Sequence, residues 1–341
     1  MKYIIEKKIC RLCESKKLTK VFDLCKSPLA NNLATNSKSS LKVDFLPLNL
    51  MFCNKCFHLQ LQHVVNPKKL YSKYLYMPGI SKSFKLHFEN FSKEILKRYK
   101  NFNNKNILEI GSNDCVLLNF FKNKGFNTVG VEPAKNLYYK TKNYHTIYNS
   151  FFNANIGHKL KKKYGFFDLI VANNVFSHID DLKTVFILLK KLMHNQSIII
   201  FEVSYLGDIL KKKLFDTIYH EHLDYHAIIP LNSFFKKINL KILDIKKIPS
   251  HGGSVRIFVG KKNTKHKVNY KTIFKIKESE KKSGIHNKNT YKKFFKHLIL
   301  QRKKLKKFFD NIQGQTVYGY GAPAKAVTLI NFFNLNHKNI N

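Results

Sequence analysis

The chain has 341 residues, 44% of them hydrophobic, which is enough for two or three domains with sizeable cores. Its 29 Phe and 17 Tyr supply the apolar surface that disordered chains lack, and this excludes a disordered protein. No uncharged apolar run approaches the ~18 residues of a membrane helix, and the first residues lack the apolar core of a secretory signal. We therefore expect a cytoplasmic protein with no membrane partner.

The formal net charge of +41 suggests a nucleic-acid partner, but the residue types that carry it argue against one. Only four of the 62 basic residues are Arg, although Arg is the preferred residue for binding phosphates and base edges. The abundance of Lys, Asn, Ile and Phe resembles the coding bias of an AT-rich genome. We therefore expect no nucleic-acid partner, and a functional basic surface remains the alternative.

Two Cys-x-x-Cys pairs, Cys10/Cys13 and Cys53/Cys56, lie near the start of the chain. Two pairs of this spacing can supply four thiolates to one tetrahedral zinc ion. Four sulfur ligands close such a site, so zinc would support folding and take no part in catalysis. A redox pair or a metal-free reduced site is the alternative. The two other cysteines have no suitably spaced partner and are expected to be buried: Cys25 and Cys115.

Short apolar strands alternate with helical segments from residue 106 to about residue 259. This alternation predicts a mostly parallel sheet covered by helices on both faces, and hence an α/β fold. A helix with apolar residues at helical spacing from Phe84 to Ile95 precedes the sheet. The predicted strands are Ile107–Ile110, Thr128–Val131, Asp168–Ala172, Ile198–Val203 and Val255–Val259.

The turn after the first predicted strand favours S-adenosylmethionine (SAM) over a dinucleotide. A dinucleotide turn needs three glycines, and only Gly111 is present in this one. The acid-x-Gly pattern of Glu109 and Gly111 suits SAM, and Asn113 lies in the same turn. Glu132 ends the next strand 21 residues after Gly111, a separation that suits binding of ribose hydroxyls. The alternative is an ordinary strand-to-helix turn with a solvated Glu.

Polar residues also follow the strand at Asp168–Ala172. In open α/β sheets ligands bind beyond the carboxyl ends of the strands. Asn173 and Asn174 are therefore predicted to hold polar groups of the cofactor. His178 can face the reacting centre, and a purely structural histidine is the equal alternative.

Four proton-handling side chains occupy four consecutive positions, Tyr219, His220, Glu221 and His222. Neutral His is the natural general base near pH 7, and a desolvated Glu can take that role. This density predicts an acid–base site. A metal site formed by His220 and His222 and a purely structural cluster are the alternatives.

Two glycine-rich segments near the end of the chain carry candidate anion contacts. The first, PSHGGSVR, places His251 and Arg256 beside a polar turn. The second, GYGAPAKA, satisfies G-x-G-x-x-A and lets Lys325 contact a phosphate, but it lacks the acid of a dinucleotide site. Residues 261–310 predict a helical connector to a strand at Thr316–Tyr318. An apolar helix is predicted from Ala324 to about Phe333.

Together these motifs resemble the sugar C-methyltransferase family, whose members methylate nucleotide-linked keto-deoxysugars. The resemblance covers nearly the whole chain and rests on the cysteine pairs and on six segments: LEIGSND, VEPAKN, ANNVFSHIDDL, FDTIYHEHLDY, PSHGGSVR and GYGAPAKA. It implies a zinc-binding domain at 1–70 and a SAM-dependent, Rossmann-like methyltransferase domain at 71–260. A helical connector and an incomplete Rossmann-like α/β domain would follow at 261–341.

The resemblance also implies roles for individual residues. Tyr219, Glu221 and His222 would line the sugar site with His178 nearby, and the segment that contains Tyr76 would contribute an aromatic ring. A base, His222 or else Glu221, would remove the proton next to the ketone, and Tyr219 or His178 would stabilise the enolate that attacks the SAM methyl. A zinc-ribbon nucleic-acid-binding protein and an RNA methyltransferase are the alternatives.

Two departures from the family pattern lead to further expectations. Cys115 stands where the family usually has a glycine. The chain also ends earlier than the family's C-terminal domain, and a single βα unit cannot bury both faces of its strand. We therefore expect the segment 311–341 to remain mobile. The oligomeric state is not predicted.

Overall fold

The computed structural model describes residues 3–34, 36–40, 42–100, 102–312, 315–321, 323–337 and 339–340. No helix in these ranges is long and apolar enough to cross a membrane. The strands are β1 (Ile4–Glu6), β2 (Leu18–Ser27), β3 (Leu46–Cys53), β4 (Leu59–Leu61), β5 (His63–Val65), β6 (Asn106–Ile110), β7 (Asn127–Val131), β8 (Thr146–Tyr148), β9 (Phe167–Asn173), β10 (Met193–Ser204), β11 (Asp224–Tyr225), β12 (Leu240–Ile248) and β13 (Ser254–Lys261).

Helices cover the faces of these sheets, and several begin at a side-chain cap. Asn153, Asp181 and Asn269 each accept a hydrogen bond from a backbone N–H of the first turn that follows. The α-helices are α1 (Ser37–Ser40), α2 (Pro67–Tyr71), α3 (Lys82–Arg98), α4 (Val116–Lys122), α5 (Lys135–Thr141), α6 (Ala154–Tyr164), α7 (Leu182–Lys191), α8 (Leu206–Lys212), α9 (Ile228–Lys237), α10 (Tyr270–Lys282), α11 (Lys288–Asn311) and α12 (Ala326–Phe333).

The central sheet has seven strands in the order β12-β13-β10-β9-β6-β7-β8. Strands β10, β9, β6, β7 and β8 run parallel, and β13 is antiparallel to both of its neighbours. All five predicted strands are present, and the predicted α/β fold is confirmed. Strands β8 and β12, which the sequence analysis did not identify, lie at the two edges.

Both faces of the central sheet are buried beneath amphipathic helices. On one face Phe88 and Phe91 of α3 pack with Leu118 of α4 over β6 and β9. On the other face Phe186 of α7 packs against Phe235 of α9, with ring centroids 4.9 Å apart. These apolar residues recur at helical spacing, whereas β6 is buried along its whole length, as expected of a central parallel strand.

A smaller antiparallel sheet forms the N-terminal part, in the order β11-β4-β3-β2. Strand β3 alternates between buried and partly buried residues, because only one of its faces meets a core. Strand β11 pairs with β4 although it lies more than 150 residues later in the chain. The small sheet is therefore joined directly to the segment that contains Tyr219–His222.

The C-terminal residues differ from the sequence prediction in two ways. Thr316–Tyr318 forms no strand, and the helix that follows begins at Ala326. This helix is docked, because Phe332 is fully buried against Phe215 with ring centroids 5.3 Å apart. The expectation of a loose C-terminal unit does not match this packing, since α12 rests on β2 and the segment after α8 instead of pairing with a strand of its own.

Candidate active site

The four predicted zinc ligands lie together in the N-terminal part. The sulfur atoms of Cys10, Cys13, Cys53 and Cys56 all lie within 4.8 Å of one another. The pairs Cys10–Cys56 and Cys13–Cys53 are each 3.5 Å apart, close to the ~3.8 Å separation of sulfur ligands around a tetrahedral zinc ion. The residues present therefore fit zinc, and the four sulfurs leave no position open for a substrate.

The two remaining cysteines differ from each other. Cys115 is buried, as expected, in the core beneath α4, and its backbone adopts a left-handed conformation with φ 59°. The side chain of Cys115 does not line the cavity that is described next, so it leaves the turn after β6 open. The prediction that Cys25 is buried is wrong. Its side chain is exposed because the residue lies in an irregular, solvent-facing part of β2.

A cavity of about 680 Å³ lies at the carboxyl ends of β6, β7 and β9. Such an edge is where open α/β sheets bind their ligands. The cavity is bounded by the loop at Asn31, by the segment 67–78 and by Pro323–Lys325. Predicted site residues that line it are Tyr76, Glu109, Gly111, Asn113, Glu132, Asn173, Asn174, His178, Tyr219, His222, His251 and Lys325.

The turns that line one side of the cavity are held by backbone hydrogen bonds. Gly111 has φ 66°, and a Cβ atom there would lie 2.6 Å from Val175 Cγ2, so the turn needs glycine. Glu132 accepts bonds from the N–H groups of Asn113 and Ala134, both at 2.8 Å. Burial raises the pKa of Glu132, and these bonds oppose that rise.

Several buried polar atoms in the cavity wall have no partner within the part of the chain that the structure describes. They are Glu109 Oε2, Ser112 Oγ, Asn113 Oδ1, Asp114 Oδ1 and both amide atoms of Asn173. Buried polar groups without partners are costly, so these atoms indicate a polar ligand. SAM carries ammonium, carboxylate and hydroxyl groups, and the donor and acceptor set of this wall fits it.

A second group of side chains, suited to proton transfer, lies on the other side of the cavity. The Nδ1–H of His222 donates to the Thr217 carbonyl at 2.8 Å, and the Tyr219 hydroxyl donates to His222 Nε2 at 3.0 Å. Burial lowers the pKa of His222 to about 3, with a smaller effect from the charge of His178, 5.1 Å away between ring centroids. His222 is therefore neutral at pH 7, and its Nε2 carries a lone pair.

Glu221 lies behind the cavity wall and is only 2% exposed. Its Oε1 accepts a bond from Asn31 at 2.6 Å, and its backbone carbonyl accepts one from His178 Nδ1 at 2.6 Å. Burial raises the pKa of Glu221 to about 7. Its neighbour His220 points away towards the Pro47 carbonyl, 3.3 Å from Nε2, so His220 and His222 do not converge on a metal.

The predicted anion contacts are only partly brought together. His251 and Lys325 line the cavity, and Lys325 also pairs with Asp216 at 3.1 Å. Arg256 differs from the prediction, because its guanidinium is buried between Glu202 and Glu94, at 2.6 and 2.7 Å. These carboxylates already neutralise it, so it is a structural ion pair and is not free to meet a phosphate.

Two of the polar residues that the sequence analysis did not single out, Tyr71 and Asn31, contact predicted site residues directly. The Tyr71 hydroxyl lies 3.1 Å from His178 Nδ1 and donates to the Glu221 carbonyl at 3.3 Å. Asn31 lines the cavity and bonds Glu221. Neither residue forms part of a spaced motif, and both meet the site only through folding of the N-terminal part onto the central sheet.

Comparison with known proteins finds matches to three successive parts of the chain. Family models match residues 10–71 ("Putative zinc binding domain"), 85–245 ("Methyltransferase domain") and 249–341 ("C-methyltransferase C-terminal domain"). The C-methyltransferase NovU of Streptomyces niveus is 28% identical over 335 residues, which are 97% of this chain and 79% of that protein.

Solved structures with similarity to the chain include two methyltransferases. A SAM-dependent methyltransferase from Clostridium acetobutylicum has a TM-score of 0.42 at 16% identity, covering 52% of this chain and 91% of its own. The magnesium protoporphyrin IX methyltransferase of Synechocystis, with bound SAH, has a TM-score of 0.40 at 11% identity, covering 52% and 83%.

The three matched models follow one another along the chain in the order in which the zinc ligands, the cavity and the docked C-terminal helix occur. This order favours an enzyme over the zinc-ribbon nucleic-acid-binding alternative. The matched zinc-binding, methyltransferase and C-methyltransferase C-terminal models, together with the similarity to NovU, indicate a SAM-dependent C-methyltransferase with an N-terminal zinc-binding domain.

Proposed function

We propose that the chain methylates a carbon atom next to the ketone of a nucleotide-linked keto-deoxysugar. Methyl transfer to carbon requires a carbon nucleophile, and a ketone makes the adjacent C–H acidic enough to provide one. The observation that carries the proposal is the Tyr219–His222 pair, which lines the same cavity as Gly111 and Glu132. Proton transfer and methyl donation can therefore occur in one enclosed space.

His222 is the general base in this proposal. The Thr217 carbonyl fixes its Nδ1–H, which leaves the Nε2 lone pair as the proton acceptor. A substrate C–H would replace the Tyr219 hydroxyl at that nitrogen. Glu221, which lies behind the wall, is the alternate base named from the sequence.

Tyr219 is the donor to the enolate oxygen. His178, the other donor named from the sequence, already gives its Nδ1–H to the Glu221 carbonyl and would instead help to position that segment. Burial, and then the charge of Glu221, raises the pKa of the Tyr219 phenol, so the hydroxyl remains protonated and able to donate. A donor aimed at developing negative charge in a partly dry site contributes strongly to catalysis. Tyr76 lines the cavity near its opening and would pack against the sugar.

Residues of the cavity wall would hold SAM, which supplies a methyl group that a carbon nucleophile can attack. Glu132 would bind the ribose hydroxyls, and His251 and Lys325 would face the substrate's phosphates. We place the zinc-binding domain at 1–70, the methyltransferase domain at 71–260 and the C-terminal unit at 261–341, in a cytoplasmic enzyme. The other SAM contacts in this proposal are Glu109, Gly111, Asn113, Asn173 and Asn174.

The experiment that tests the proposal incubates the zinc-loaded chain with labelled SAM and a panel of nucleotide-4-keto-6-deoxysugars. Label should enter at least one sugar, and His222→Ala should abolish incorporation while SAM binding survives. His158→Ala, an exposed histidine on α6, is the matched control and should leave the rate unchanged. Incorporation into RNA but into no sugar would contradict the proposal.

A further inference from the structure

The zinc-binding domain reaches the candidate active site through a polar side chain on the loop after β2. Asn31 lines the cavity, and its Nδ2 donates to Glu221 Oε1 at 2.6 Å. The two residues are 190 positions apart, so this bond joins the N-terminal part to the Tyr219–His222 segment. No sequence motif predicted the contact.

The Glu221 carboxylate has an unusual environment for an acid beside an active site. It is 2% exposed, and its Oε2 has no hydrogen-bond partner among the described residues. The titratable groups that face it are the phenols of Tyr71, Tyr74 and Tyr219. Burial first, and the charge of Glu221 second, raise the pKa of each of these phenols. The Asn31 side-chain amide thus offers this carboxylate a short hydrogen bond, and the Asn31 backbone N–H acts in the same direction.

We propose that Asn31 is a positioning residue for the Glu221 carboxylate, so that the zinc-binding domain supplies part of the active site. The inference rests on the function proposed above. The Asn31 bond holds the side chain of Glu221. The backbone carbonyl of the same residue accepts a hydrogen bond from the Nδ1–H of His178. Asn31 also opposes the effect of burial on the pKa of Glu221, and so favours the ionised acid.

A titration that needs no substrate tests the inference first. The full zinc-loaded chain, labelled with ¹³C at the glutamate carboxyls, is titrated by NMR, and the Glu221 signal is assigned with Glu221→Gln. Asn31→Ala should raise the pKa of Glu221 by about one unit, a tenfold change in its acid dissociation constant. Asn32→Ala, an exposed neighbour on the same loop, should leave it unchanged. An Asn31→Ala protein that titrates like the parent would overturn the inference.

The pH profile of kcat/KM then separates positioning from a merely structural role. In Asn31→Ala the acidic side of the profile, where kcat/KM falls with decreasing pH, should move to higher pH. The shift should be about the same as that of the Glu221 titration. Asn31→Asp, which keeps the size of the side chain but adds a second carboxylate, should move the acidic side further and serves if the Ala variant fails to fold. A rate that falls equally at every pH, with the acidic side in place, would contradict positioning. If Asn31→Ala shifts the Glu221 titration but the parent methylates no keto-sugar, the proposed function is refuted, and only the effect of Asn31 on the Glu221 carboxylate remains.

Discussion

Phe332 holds the C-terminal helix α12 against the rest of the chain, and Phe332→Ala should release that helix. The ring is fully buried between Phe215 and Phe295, with centroids 5.3 and 6.4 Å away. Truncation of a buried Phe to Ala costs ~3–5 kcal/mol. Because α12 has eight residues at the edge of the structure, this cost should act on local opening and not on global unfolding.

Limited proteolysis measures this opening, since cleavage follows the population of the open form when opening is fast. A loss of ~3 kcal/mol raises that population roughly 100-fold, because each 1.4 kcal/mol is a factor of ten. Cleavage after residue 311 should accelerate by a similar factor. Pro323–Lys325 line the cavity, so the KM for the sugar should also rise while SAM affinity stays normal.

Ile330→Ala is the matched control, because Ile330 lies on the same helix and is 39% exposed. It should accelerate cleavage only slightly. Equal protection of the parent and Phe332→Ala would refute the docking argument. Rapid cleavage of the parent itself would restore the expectation of a mobile C-terminal unit.

Three other predictions concern zinc, SAM and pH. The parent should hold about one zinc ion per chain, and Cys53→Ser should lose both metal and stability; unchanged metal content by elemental analysis would contradict the site. Glu132→Ala should weaken SAM binding by roughly 1.5–3 kcal/mol in calorimetry, the range for hydrogen bonds to a charged group, whereas NAD binding to the parent would count against the assignment. Burial lowers the pKa of His220 to about 4, whereas its unfolded-state pKa is about 6.5, so the unfolded chain takes up this proton first. The free energy of unfolding is therefore highest above pH 6.5 and decreases as pH falls from there towards 4. Urea denaturation at pH 7.5 and 5 should therefore show the parent losing about 2 kcal/mol relative to His220→Asn, and a constant difference between the two proteins would exclude this linkage.

Features that depend on local pattern could be predicted from the sequence. The Cys-x-x-Cys spacing fixes each half of the zinc site within one turn, and the four sulfurs do converge. The apolar run at Ile107–Ile110 is buried throughout, as its composition requires, and the predicted turn at Gly111 follows it. Periodicity and turn chemistry act within a few residues, so a single sequence contains them.

Features that depend on distant partners could not be predicted. Thr316–Tyr318 has the composition of a strand but forms none, because a strand needs a neighbour to accept its hydrogen bonds. Arg256 lies beside a glycine-rich turn, yet Glu202 and Glu94, which are far apart in sequence, enclose it. The Asn31–Glu221 contact is of the same kind. Only the folded chain brings these groups together.

The site itself was predicted in its residue types more accurately than in its geometry. Tyr219 and His222 line the cavity as the sequence led us to expect, but Glu221 presents its backbone carbonyl to His178 and keeps its carboxylate behind the wall. Four adjacent positions cannot all point the same way, and neighbouring elements decide which of them face the ligand. His220 was turned away by its contact with Pro47.

The central claim is that this chain makes a carbon–carbon bond at a carbon acidified by a neighbouring ketone. The most direct measurement uses SAM labelled with ¹³C in its methyl group, the zinc-loaded chain and a nucleotide-linked keto-deoxysugar, with the product examined by NMR. The account predicts one-bond ¹³C–¹³C coupling between the new methyl and a sugar-ring carbon next to the carbonyl. It also predicts that His222→Ala abolishes the product. A methyl group found on oxygen or nitrogen, or a product that forms equally well in His222→Ala, would contradict the account.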